Sequence, residues 1–133
     1  MNQKIILISG ASRGIGKQTA IELTKCGYTV IAGYNKSEQS AKELQKEYNI
    51  DIFKADISNG FEIKKLTDYV LNKYHKIDVL INNAGISQTK MFTDITDNDW
   101  NLMINTNLYS CFKLTQNCLP NMIHNKSGCI INI

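Results

Sequence analysis

The feature that most constrains this chain is an alternation. Short runs of β-branched and apolar residues recur at KIILIS (4–9), YTVIAGY (28–34), DIFKAD (51–56), IDVLINN (77–83) and CIINI (129–133). Between them lie segments with helical spacing of apolar residues. IGKQTAIELTKCG carries a glycine stop at Gly27, and SEQSAKELQKEY (37–48) starts at Ser37, a good N-cap. Asn59 with Glu62 forms a capping box for a helix to about Tyr74. Thr96 with Asp99 caps a long helix to about His124, which Pro120 is expected to kink near its end. Strands joined by helix-length crossovers pair in parallel through right-handed βαβ units, with helices on both sheet faces. The expected fold class is therefore α/β, a doubly wound parallel sheet. IDVLINN, unbroken by polar alternation, fits a strand covered on both faces. CIINI reads as a buried fifth strand.

Composition narrows the function classes. A chain of 133 residues is one domain, with 43% hydrophobic and 20% charged residues. No apolar run reaches membrane-spanning length, and MNQKIILISG turns polar too soon for a signal peptide, so the expectation is a cytoplasmic protein without a membrane partner. Lys and Arg are scattered and the net charge is only +3, which argues against a nucleic-acid partner. Cys26, Cys111, Cys118 and Cys129 form no CxxC pair and have no histidine at metal spacing. Reduced core thiols and no metal are expected. His75 and His124 fall near helix ends, as surface or C-cap residues.

In a doubly wound sheet, ligands bind beyond the carboxyl ends of the strands, where the strand order reverses. The first such turn reads SGASRGIG, residues 9–16, and opens directly into a helix. Gly10 permits the tight turn, Gly14 lets a pyrophosphate approach the backbone, and Gly16 lets the helix pack on the strand. The helix N-terminus then offers free N–H groups and a positive dipole end to the anion. At the end of the second strand the sequence reads GYNKS (33–37), with no acidic residue to take a ribose 2′-hydroxyl. Lys36 and Arg13 supply positive charge there, and Asn35 and Ser37 add donors, a combination that favours NADP(H) over NAD. INNAG (81–85) places two asparagines at a strand end, where their amides can hold neighbouring backbone. Along the long helix, Trp100, Met103, Ile104, Leu108, Cys111, Leu114, Cys118 and Met122 form an apolar stripe, and Asn107 falls inside it. Spacing alone leaves Asn107 open between a satisfied core amide and an active-site anchor for a water or a lysine.

SGASRGIG, the pair Asp56–Ile57, INNAG and INTNL together resemble the short-chain dehydrogenase/reductase family, in that family's order and spacing. The resemblance spans the whole chain and about the first half of a usual member. It is closest to the 3-oxoacyl-acyl-carrier-protein reductases. FTDITDNDWNLM and LPNMIHNKSG are also similar to the related reductases of 5-aminopentanone-modified elongation factor P. The resemblance implies a Rossmann fold, here reaching only the fifth strand. It implies that Gly10, Ala11, Ser12, Arg13, Gly14, Ile15 and Gly16 bind the pyrophosphate. Tyr34, Asn35, Lys36 and Ser37 would stand at the 2′-phosphate. Asp56 would bond the adenine amino group with Ile57 on the ring, and Asn83, Ala84 and Gly85 would lie beside the adenosine ribose. Asn107 matches the family's active-site asparagine, which bends its helix and holds a relay water. Ser9 stands where threonine is commoner and keeps a hydroxyl.

The family's catalytic serine and Tyr-x-x-x-Lys follow the fifth strand, beyond Ile133. Within the chain Tyr69 has a lysine, Lys73, four residues later, and it lies on a helix before the fourth strand. Three readings remain. One is the N-terminal portion of an NADPH-dependent reductase of a small-molecule or carrier-bound ketone, with a 3-oxoacyl thioester favoured. In that reading this chain alone is inactive and the parent enzyme is a homotetramer. The others are a non-catalytic nucleotide-binding module and a structural half that pairs with another chain. The apolar ending CIINI would leave an unblunted strand edge, which favours the first.

Overall fold

In a computed structural model, which describes residues 3–133, the alternation becomes a five-stranded, all-parallel sheet. The strands are β1 (Ile5–Ile8), β2 (Thr29–Tyr34), β3 (Asp51–Lys54), β4 (Val79–Asn82) and β5 (Cys129–Asn132). The helices are α1 (Gly14–Lys25), α2 (Glu38–Tyr48), α3 (Gly60–Tyr74), α4 (Asp97–Ile104) and α5 (Ser110–His124). The spatial order is β3-β2-β1-β4-β5, so the chain winds outward from β1 and then restarts on its other side. The reversal lies between β1 and β4, which pair from Ile6 with Val79 to Ile8 with Ile81.

Strand geometry sorts the core into two layers, because successive side chains point to opposite faces. Ile5 and Leu7 of β1 join Ile31, Leu80, Ile63, Leu66, Val70, Leu114 and Cys118 under α3 and α5. Ile6 and Ile8 join Val30, Ala32, Ile81, Ala20, Ile21 and Leu44 under α1 and α2. Every residue of β1 is buried, as expected for a central strand covered on both sides.

The helix ends follow the sequence signals unevenly. Gly27 has φ +87° and closes α1: its N–H donates to Thr24 O while Tyr28 N–H donates to Leu23 O, the paired bonds of a Schellman ending. Thr96 and Asp99 form a reciprocal capping box on α4. Asn59 accepts from Phe61 N–H and Glu62 N–H, but Glu62 reaches past it to accept from Asp56 N–H at 2.6 Å. Ser37 sits at the N-cap of α2 without a side-chain capping bond.

Three expectations need correction. The long helix is not continuous: a π-helical turn, Asn105–Tyr109, separates α4 from α5, while α5 runs on through Pro120 to His124. A π turn carries an extra residue, which rotates everything beyond it, so one stripe cannot persist across it. Trp100 and Leu108 are 59% and 62% exposed. The buried row is Thr106, Ser110, Leu114, Cys118 and Met122, four residues apart throughout, and Ser110 Oγ satisfies itself on Thr106 O at 2.6 Å. Second, only Cys118 is a core thiol, its pKa pushed up to about 12 by burial, whereas Cys26 and Cys129 are exposed. Third, β5 is a strand but not a buried one: it forms the sheet edge, with Ile131 exposed, because no described element lies beyond it.

Tyr69 and Lys73 lie far from the ligand end. Asp51, the first residue of β3, accepts from Tyr69 OH (2.7 Å), Tyr74 OH (2.9 Å) and Lys73 Nζ (2.9 Å). Burial alone would raise the Asp51 pKa; hydrogen bonds from Lys73, Tyr69 and Tyr74 outweigh it and hold the carboxyl below its ordinary 3.8. The Tyr69 phenol is raised, first by burial and then by its bond to Asp51, the opposite of an activated proton donor. The cluster staples α3 to the amino end of β3. A depressed carboxyl contributes stability above its unfolded pKa and loses it as pH falls through the folded value. Asp51→Asn should therefore destabilise the full-length protein by about 1–3 kcal/mol at neutral pH. The difference from wild type should shrink below pH 3.8, as read by denaturant titration at each pH.

Candidate functional site

The strand reversal places two turns side by side, and side chains sew them together. Asn83 Nδ2 donates to Ser9 O (3.1 Å) and Gly10 O (3.0 Å). In return, Ser9 Oγ accepts from Asn83 N–H and Ala84 N–H, both at 3.1 Å. Ala11 N–H donates to Gly33 O at 2.9 Å, tying the same turn to β2. The glycine-rich turn is thus fixed from both neighbouring strands before any ligand arrives. The adjacent Asn82 is 2% exposed, donates to Asn132 Oδ1 at 2.8 Å, and keeps a buried Oδ1 without a partner.

The glycines divide by what surrounds them. A Cβ on Gly10 would meet Ala84 Cα at 2.7 Å, and Gly10 already holds φ +64°. A Cβ on Gly16 would collide with Asn83 Nδ2 and meet Gly10 O at 2.6 Å, so Gly16 is where helix, turn and the end of β4 touch. Gly14 has φ +57° and open space where its Cβ would be. That opening lies at the first residue of α1, whose N-cap residue Arg13 makes no capping bond and whose first turn carries no acid. An uncapped helix N-terminus with open space before it suits an anion. The fit is to a phosphate group: free N–H donors, no competing carboxylate, and Ile15 65% exposed beside them.

The carboxyl end of β2 bears the second part. Ala11, Ser12 and Tyr34 are buried, while Arg13, Asn35 and Lys36 are exposed and Ser37 is half-buried. Neither Arg13 nor Lys36 forms an ion pair among the described residues. Two free cations therefore stand at the ends of adjacent strands. After β3, Asp56 Oδ1 accepts from Ser58 N–H and Ser58 Oγ, which closes an Asx turn. Ile57 is 7% exposed and packs in the core with Ile63 and Leu66.

Asn107 lies within the π turn, exposed rather than inside a buried stripe. Its Oδ1 accepts from Ile86 N–H at 2.8 Å and its Nδ2 donates to Ile86 O at 2.9 Å. A Cβ on Gly85 would sit 3.3 Å from that Oδ1. The amide thus pins the segment after β4, including Ala84 and Gly85, against the helix. The turn that upsets the stripe is the one that presents Asn107, in keeping with the clustering of π turns at functional sites.

Three groups near the site carried no sequence signal as ligands of the turn. Glu62 holds Asp56 N–H; Lys17 Nζ donates to Ser40 Oγ (3.2 Å), and Ser40 Oγ donates to Ser12 O (2.6 Å). The last two join α1 to α2, a proximity that only the fold creates.

Comparison with known proteins agrees with this geometry. The family model for short chain dehydrogenase matches residues 4–133. The 3-oxoacyl-[acyl-carrier-protein] reductase FabG of Buchnera aphidicola is 39% identical over 133 residues, covering 98% of this chain and 54% of that protein. Among solved structures, a short-chain dehydrogenase from Streptomyces avermitilis superposes with a TM-score of 0.91 at 30% identity, covering 98% of this chain and 48% of the other. A metagenomic short-chain oxidoreductase solved in complex with NADP superposes with a TM-score of 0.88 at 28% identity, covering 97% and 61%. The chain spans about half the length of the curated relatives it matches. Motifs, sheet order and matches coincide: the chain belongs to the short-chain dehydrogenase family, whose members are oxidoreductases.

Proposed function

We propose that this chain supplies the adenosine-binding half of an NADPH-dependent reductase that converts a ketone to an alcohol, with a carrier-bound 3-oxoacyl thioester as substrate. The observation that carries the cofactor half is the uncapped N-terminus of α1 flanked by unpaired Arg13 and Lys36, with no carboxylate at the end of β2. The FabG relatives support the substrate class, and the NADP complex of a neighbour supports the cofactor. The N–H groups at Gly14, Ile15 and Gly16 would take the pyrophosphate, with Gly10, Ala11 and Ser12 shaping the turn. Arg13, Asn35, Lys36 and Ser37 would take the 2′-phosphate beside Tyr34. Asp56 has a free Oδ2 for an adenine amino group, with Ile57 behind it, and Asn83, Ala84 and Gly85 would border the ribose.

A nicotinamide cofactor supplies hydride. What this chain supplies is position: Asn83 and Ser9 hold the two turns together at a fixed spacing, and Asn107 holds the segment after Gly85 beside them. The groups that would hand a proton to the carbonyl find no match within residues 3–133: Tyr69 and Lys73 are committed to Asp51 at the opposite end of the sheet, and in the second pair at that spacing Tyr109 OH lies against Gly60 while Lys113 Nζ donates to Gln116 Oε1 at 2.9 Å. In this reading the chain alone does not complete the reaction. A cytoplasmic homotetramer formed through α4 and α5 is part of the same proposal, supported by exposed Trp100, Leu108, Phe112 and Ile123 on those helices and the intervening turn.

Changing Arg13 and Lys36 together to alanine in the full-length protein should weaken NADPH binding roughly 100-fold, the loss of two charge-assisted contacts. NADH should change far less. Equal losses for the two cofactors, measured by fluorescence titration, would sink the phosphate assignment.

A further inference from the structure

We propose that Ser40 is a positioning residue for cofactor selectivity, setting the peptide that orients Arg13 towards the 2′-phosphate. The inference rests on the NADP(H) reading above and goes beyond it, because Ser40 touches no part of the glycine motif in sequence. It lies in the first turn of α2, half-buried, and its Oγ donates to Ser12 O at 2.6 Å, the shortest side-chain bond to the glycine-rich turn. Lys17 Nζ donates to the same Oγ at 3.2 Å and lies 3.6 Å from Glu43 Oε2. The Lys17 ammonium has only donors, so it occupies the hydroxyl's acceptor side and leaves the hydroxyl proton for Ser12 O. The Lys17–Glu43 pair is partly exposed and contributes little stability by itself. Its effect is directional.

The consequence follows from peptide planarity. Ser12 C=O and Arg13 N–H belong to one trans peptide and point in opposite directions. Holding Ser12 O against α2 turns Arg13 N–H away from α2 and fixes the extended backbone of Arg13 (φ −152°, ψ 168°) at the head of α1. The Arg13 side chain is exposed and has no hydrogen-bond partner among the described residues, so the anchored backbone sets where it is rooted and hence the region its guanidinium can reach. Without the Ser40 bond the turn keeps its anchors at Ala11 and Asn83, and only the Ser12–Arg13 peptide is released.

The test is the affinity of the full-length protein for NADPH and for NADH, by titration of cofactor fluorescence. Ser40→Ala should weaken NADPH by about tenfold and NADH by no more than about twofold, the scale of one lost hydrogen bond. Ser40→Thr, which keeps the hydroxyl, should restore the ratio. A purely structural role would lower both affinities together, so an unchanged NADPH-to-NADH ratio in Ser40→Ala overturns the proposal. A wild-type protein that does not prefer NADPH overturns the cofactor reading itself and this inference with it. A denaturant midpoint for Ser40→Ala close to wild type shows that the ratio is read on folded protein; should that variant not fold, Lys17→Met narrowing the ratio in the same sense upholds the proposal, and leaving it unchanged overturns it.

Discussion

Gly16→Ala is expected to destabilise the full-length protein by about 2–4 kcal/mol and to abolish detectable nucleotide binding. Helix propensity argues the other way, since alanine in a helix interior gains about 1 kcal/mol over glycine. Packing overrides it. The new methyl would collide with Asn83 Nδ2 and stand 2.6 Å from Gly10 O and 3.0 Å from Ala11 Cα. None of these can yield easily: Asn83 Nδ2 is bonded to Ser9 O and Gly10 O, and the other two atoms are backbone or tied to it. Accommodating the methyl breaks the bonds that hold β1 and β4 turns together at the strand reversal. Gly14→Ala is the control. It meets nothing within 4 Å, so its penalty is the left-handed backbone alone, about 1–2 kcal/mol. Urea denaturation of both variants should rank Gly16→Ala clearly below Gly14→Ala. A Gly16→Ala midpoint equal to wild type would mean that the contact between α1 and β4 is not what the glycine is for.

Leu66→Ala should remove about 2–5 kcal/mol, the range for emptying a fully buried leucine site. Leu66 is 0% exposed in the layer under α3 and α5, and its Cδ2 lies 3.3 Å from where a Cβ of Gly33 would be. It therefore fills the space that Gly33 leaves in β2, immediately before the Tyr34–Ser37 segment. The surrounding strands are held by ladder bonds on both sides and cannot collapse into the cavity. Ile15→Ala, on a side chain 65% exposed, should shift stability by less than about 0.5 kcal/mol in the same assay. A Leu66→Ala loss that small would show that the sheet relaxes around the gap.

Much of the fold was legible because its determinants are local. Each strand announces itself as an apolar run, and Gly27, Asn59 and Thr96 mark helix boundaries through bonds to residues within five positions. The glycine-rich turn was legible for the same reason, as were the strand ends bearing Lys36 and Asn83. Asn107 was legible as an oddity, but its burial was misjudged. The 3.6-residue count that placed it in an apolar stripe fails across Asn105–Tyr109, where a π turn shifts the phase; residue spacing gives no sign of that turn, and only the family resemblance implied a bend at Asn107. The burial of β5 was misread because an apolar run reports a preference for cover; whether cover exists depends on what lies next to that strand.

The sequence by itself determined the element types, the parallel sheet and the positions at which ligand-facing turns occur, because period, β-branching and capping act between residues close along the chain. Only the tertiary structure decided that Asn83 reaches Ser9, that Gly16 has no room for a methyl, that Ser40 holds Ser12, and that Tyr69 and Lys73 serve Asp51 instead of a substrate. Each of those facts joins residues about 18 to 74 positions apart. Their distance is set by how two packed layers close over one sheet, which no local pattern records.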